Sequence, residues 1–112
     1  MAYQKILVAV DLGATTDRLL TAAAGLMADS GSELHILHVV EPINMSYGAD
    51  IPMDLSAIQD EIYDQASEQL TQYCETYHVP EPQRHLAVGH PEAEIASAAK
   101  RLHVDVIAVG RH

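Results

Sequence analysis

The sequence predicts an α/β domain built on an open, doubly wound parallel sheet, and three observations predict it. Four short apolar runs, each of strand size, are separated by segments whose apolar residues recur at helical spacing. The order reads β-α-β-loop-α-β-α-β, and strands alternating with helices make a parallel sheet with right-handed crossovers. Three of the four strand ends carry a glycine within three residues, namely Gly13, Gly89 and Gly110. Sheets of this kind hold ligands at the carboxyl ends of their strands.

The first strand is the run KILVAV at residues 5–10, continuous and rich in β-branched residues, as buried parallel strands are. Thr15, Thr16 and Asp17 then supply helix-start chemistry. Leu19, Leu20, Ala23, Leu26 and Met27 follow at helical spacing, and Ser30-Gly31 is the expected stop. The second strand is ELHILHVV at residues 33–40, ended by Glu41-Pro42. Residues 42–53 have no clear period and read as a loop.

The longest helix is expected over residues 54–77. Its apolar stripe is Leu55, Ile58, Ile62, Ala66, Leu70, Tyr73 and Tyr77, with Asp60, Glu61, Asp64, Glu68 and Glu75 on a solvated face. Pro80 and Pro82 break it. RHLAV at residues 84–88 is the third strand. Pro91 then opens a helix with Glu92 and Glu94 in its first turn, where negative charge suits the dipole. VDVIAV at residues 104–109 is the fourth strand.

The 112 residues make one domain, residues 1–112, and a chain of this length buries roughly two-thirds of its unfolded surface. No apolar run approaches membrane-spanning length, and no signal-peptide pattern opens the chain. The net charge of −10 disfavours nucleic acid and anionic membranes, which need clustered Lys and Arg. Cys74, the only cysteine, excludes an intrachain disulfide and fits a reducing cytoplasm. Its place in a helical pattern beside Tyr73 and Tyr77 reads as packing. His35 and His38, three apart in a strand, fall on opposite faces and cannot share an ion; no metal site is expected.

The strand-end rule selects Val10-Asp11-Leu12-Gly13, Val39-Val40-Glu41, Val88-Gly89-His90 and Val109-Gly110-Arg111-His112 as candidate ligand positions. The segments YQKILVAVDL at 3–12, LHVV at 37–40, VGHP at 88–91 and VDVIAVGRH at 104–112 resemble, in order and over the whole chain, the universal stress proteins. The resemblance implies a sheet of order 3-2-1-4 with a fifth strand, and a cytoplasmic homodimer working in stress response. It implies a regulatory module that binds an adenine nucleotide, ATP or AMP, with or without Mg. Ala9, Val10 and Asp11 would lie near the ribose and base, Val39 near the adenine, and Val88, Gly89 and Val109 at the adjoining strand ends. Gly110 matches the first glycine of the family's G-x-x-G-x9-G-[ST] phosphate loop, with Arg111 and His112 as its spacers.

The second glycine of that loop would be residue 113, past the end of the sequence. The resemblance therefore implies an incomplete domain, with β-strand five missing, strand four exposed at the sheet edge, and weak or absent ATP binding. The family also has members without the loop, and the other reading is a dimer that acts through protein contacts and binds no nucleotide. No nucleophile–base pair is seen, so catalysis is not argued; slow ATP hydrolysis follows from the resemblance alone. Strand three ends in Val88-Gly89 rather than the Asp of a receiver domain, and Asp11-Leu-Gly-Ala-Thr-Thr does not supply the G-x-G-x-x-G of a dinucleotide-binding domain.

Overall fold

A computed structural model describes residues 4–27, 32–43 and 55–110 of the chain. The elements are β1 (Lys5–Ala9), α1 (Thr16–Gly25), β2 (Glu33–Val40), α2 (Leu55–Thr76), β3 (Arg84–Val88), α3 (Pro91–Leu102) and β4 (Val106–Val109), with a 3-10 turn over Glu81–Gln83. All strand pairs are parallel, in the order β3-β2-β1-β4. Leu7 lies opposite His35 on one side and Ile107 on the other. The expected strand order and element sequence are both observed.

Strand alternation divides the core into two layers. Ile6, Val8 and Val10 of the β1 segment, with Leu34 and Ile36, meet Leu20 and Ala23 of α1 and Leu70 and Cys74 of α2. Leu7 and Leu37 face the other way, against Ala98, Ile95, Ala99 and Leu102. Ile6, Leu7, Val8, Leu20 and Ile36 have no exposed surface. Full burial of such a side chain contributes about 1.5–3 kcal/mol. Cys74 is likewise fully buried, so it packs as expected.

Three features differ from expectation. Helix α1 stops at Gly25, with Leu26 as its C-cap, so Leu26 is left 46% exposed rather than on the buried stripe. The expected stop at Ser30-Gly31 lies outside the described residues, as does the loop from residue 44 onward. Strand β4 begins at Val106, not residue 104. The Val104 amide closes the end of α3 onto the Ala99 carbonyl, and the Asp105 carboxylate accepts from the Gln4 and Lys5 amides, both at 2.9 Å. Finally, the apolar stripe of α2 is buried only at Ala66 and Leu70 among the described residues. Tyr73 and Tyr77 are half-buried, as is Ile58 in the first half, whereas Ile62 is exposed.

Among the described residues one helix, α3, covers the second face of the sheet. Ile107 and Val109, on that face of the β4 edge, remain 40% and 58% exposed. No helix among the described residues is long and apolar enough to cross a membrane.

Candidate functional site

The carboxyl ends of β1, β2 and β4 converge on a cavity of about 210 Å³. Its floor is Ala9, Val10, Leu37, Val39 and Val109. Thr15, Thr16 and Leu19 wall it on the α1 side, and Pro91 and Ile95 on the α3 side. Asp11, Glu41 and Gly110 complete the lining. In the order β3-β2-β1-β4 the chain winds away from β1 in both directions, so the cavity sits where parallel sheets of this kind leave a crevice.

Local backbone geometry aims Asp11. Leu12 adopts a left-handed conformation at φ 64°, a state that costs an ordinary residue on the order of 1 kcal/mol. The turn brings the Gly13 amide to donate to Asp11 Oδ1 at 2.8 Å. Thr16, almost fully buried, donates its hydroxyl to the same oxygen at 3.4 Å. This corrects the expected helix start. Thr15 occupies the N-cap position of α1 but makes no side-chain cap bond, and the threonine next to it serves the aspartate instead. Behind the site, His38 Nδ1 donates to the Val10 carbonyl at 2.7 Å and the Val10 amide donates to Leu37 at 2.9 Å. The β1 terminus is thereby locked to β2.

Of the residues selected from sequence, Ala9, Val10, Asp11, Val39, Val109 and Gly110 line this one cavity. Val88 and Gly89 do not. Val88 is 47% exposed at the end of β3, and the Gly89 amide is used by the Val40 carbonyl at 3.0 Å. Arg111 and His112 lie outside the described residues. A side chain at Gly110 would meet Leu19 and Thr15 at 3.5 Å, ordinary contact, so no contact within the described chain demands glycine there. Leu19, Leu37, Pro91 and Ile95 were read as core or helix-start residues; their place in the cavity follows from strand register and helix placement. Glu41 had a strand-end signal, but nothing in the sequence showed that it turns to the cavity.

A second polar cluster lies apart from the cavity, on the face covered by α3. His35 Nε2 donates to Glu33 Oε1 at 2.8 Å, and His35 Nδ1 meets His85 Nε2 at 2.9 Å with the rings stacked. The bond from His35 holds the Glu33 carboxyl below the usual carboxylate range. Burial, with the nearby charges of His35 and Arg101, pushes His85 below the ordinary histidine value. His35 and His38 do fall on opposite faces, one bonded to Glu33 and His85, the other to β1.

The family model for the universal stress protein family matches residues 2–112. The chain is 31% identical over 114 residues to universal stress protein A homolog 1 of Coxiella burnetii, an alignment covering all of this chain and 78% of that protein. Among solved structures it resembles the universal stress protein UspA from Lactobacillus plantarum, with a TM-score of 0.79 at 24% identity over all of this chain and 79% of that one. It also resembles a universal stress protein crystallised in complex with cAMP, with a TM-score of 0.56 at 19% identity over 96% and 72% of the two chains. With a profile match over nearly its whole length and a curated relative above 30% identity, the chain belongs to the universal stress protein family.

Proposed function

We propose that this chain is an adenine-nucleotide-binding regulatory module of the cytoplasmic stress response, with its ligand in the cavity at the ends of β1, β2 and β4. The observation that carries the reading is the pre-set Asp11 carboxylate at the mouth of an apolar floor. Ala9, Val39 and Val109 offer a surface for a flat base, and Asp11, held by Gly13 and Thr16, offers an acceptor for ribose hydroxyls. Family membership supports it, as does the relative crystallised with cAMP. Ala9, Val10, Asp11, Val39, Val109 and Gly110 are the proposed contacts, with Val88 and Gly89 at the neighbouring strand end; Arg111 and His112 are proposed on the sequence resemblance alone.

Titration of AMP and ATP into the isotope-labelled chain tests this by NMR. The expected result is saturable shifts concentrated at the amides of Ala9, Asp11, Val39 and Gly110. Shifts scattered over the surface, or none at millimolar nucleotide, would count against it.

A second reading is action through protein contacts, in a homodimer. It is favoured by the exposed Ile107 and Val109 on the face of β4, the outermost of the described strands. In that case concentration-dependent association should be lost on Ile107→Lys.

A further inference from the structure

We infer that Glu41 makes this site select its ligand by charge, favouring a nucleoside monophosphate over the triphosphate. The inference rests on the nucleotide-binding reading above and adds to it which phosphorylation state is taken.

Apart from Arg18, the described Lys and Arg side chains gather at one end of the strands, where Glu33, Glu75, Glu81 and Asp105 accompany them. The sequence has six Lys and Arg. Lys5 and Arg84 begin β1 and β3, and Lys100 and Arg101 end α3. These four therefore sit at the amino-terminal end of the sheet, away from the cavity. Lys5 is committed there, its Nζ donating to the Leu102 carbonyl at 3.0 Å.

The described charged residues at the carboxyl end are mostly acidic. Asp11 follows β1, Glu41 follows β2, Asp17 is in the first turn of α1, and Glu92 and Glu94 are in the first turn of α3. Among the described residues the one cation at that end is Arg18, exposed on α1 and not part of the cavity lining. Among the described residues the lining contains two carboxylates, Asp11 and Glu41, and no Lys, Arg or His.

The two carboxylates differ in role. Asp11 is tied into the loop by Gly13 and Thr16. Glu41 lies beyond the strand, exposed, and still lines the cavity. The cavity, at about 210 Å³, is smaller than the roughly 300–1,000 Å³ typical of ligand pockets, so it suits the base and sugar, with the phosphates projecting past its rim. Each added phosphate then brings negative charge into a region already negative, at a partly exposed site where repulsion is weakened but not removed.

The test is calorimetric titration of the 112-residue chain and of its Glu41→Gln and Glu41→Lys variants with AMP and ATP. It is run with chelator present, at low and at physiological salt. The wild type should bind AMP more tightly than ATP, and the preference should shrink as salt rises. Glu41→Gln should narrow the AMP:ATP affinity ratio by about threefold or more at low salt, and Glu41→Lys should narrow it further. Equal or tighter ATP binding by the wild type overturns the inference. So does a ratio that stays the same across the three proteins, while leaving nucleotide binding intact. If neither nucleotide binds the wild type, the nucleotide-binding reading itself fails and this inference falls with it. Glu41 lies in an exposed segment outside the core, and matched melting temperatures would show that the variants are folded.

Discussion

His35 Nδ1 and His85 Nε2 are 2.9 Å apart, and only one of the two nitrogens can carry the proton between them. Because Glu33 can only accept, His35 Nε2 is the donor on its other side. With both rings neutral, His85 Nε2 must therefore donate to His35. Two doubly protonated rings would set donor against donor across the β2–β3 pairing. Arg101 adds to the positive field around His85, and Glu94 lines the same groove.

This arrangement sets a pH dependence. His85 is held below its ordinary value of 6.5, so in this range the unfolded chain binds the proton more readily than the folded one. The stability it contributes is present above that value and is lost as pH falls through it. Glu33, also lowered, acts the same way further down, below its ordinary 4.5. The urea midpoint should therefore fall between about pH 7.5 and about pH 5.5. His85→Gln keeps an amide to donate to His35 but does not titrate, and it should flatten that slope.

His103 closes α3 in the left-handed conformation, at φ 55°, with its own amide and that of Val104 returned to Lys100 and Ala99. The side chain is exposed and makes no described hydrogen bond that would be lost. Glycine enters this conformation without the Cβ clash. His103→Gly should stabilise the chain by about 0.5–1 kcal/mol in denaturant titration. A loss of stability would mean that the imidazole interacts more than its exposure indicates.

Asp105 ties β4 to β1 by accepting from two consecutive backbone amides, Gln4 and Lys5. Asp105→Ala leaves both amides near the surface, where water replaces part of the interaction. The expected cost is about 1–2 kcal/mol. Asp105→Asn, which retains one acceptor oxygen, should recover part of it.

Cys74 is fully buried between α2 and the sheet, and burial pushes its thiol above the ordinary value. Thiol reagents should leave it unmodified in the native chain and react on unfolding. Modification at the same rate with and without urea would contradict this packing. Cys74→Ser places a hydroxyl among Ile36, Leu70 and Val79 and should cost about 1–3 kcal/mol.

The parts of the fold that were legible share one property: their residues satisfy themselves locally. Glu33–Val40 and Arg84–Val88 were bounded correctly because apolar runs end at turn residues. Pro91 and Lys100-Arg101 marked both ends of α3 for similar reasons. What was not legible depends on partners distant in the chain. The start of β4 is decided by Asp105 bonding residues about a hundred positions away. Ile62 fits a helical stripe, yet it is left 42% exposed, because the described chain does not cover it. The same holds for the site. Asp11 and Gly110 were found by strand ends, whereas the Glu33–His35–His85 cluster needs the register that sets Leu37 against His85.

Asp11 is where stability and ligand binding are expected to separate. Its Oδ1 accepts from Gly13 and Thr16 in an exposed loop, so Asp11→Ala should lower stability by no more than about 1 kcal/mol. The same change removes a charged acceptor from the cavity mouth. Hydrogen bonds to charged groups are worth about 1.5–3 kcal/mol, so the affinity for AMP should fall about ten- to a hundredfold. Thr16→Val keeps the shape of α1 but loses the hydroxyl that steadies the carboxylate. Its affinity should therefore lie between those of the wild type and Asp11→Ala. Calorimetry with AMP gives the binding order, and melting curves of the same samples give the stability order. If affinity follows melting temperature across the three proteins, Asp11 is a loop-capping residue, and the ligand, if it binds, is held by other groups.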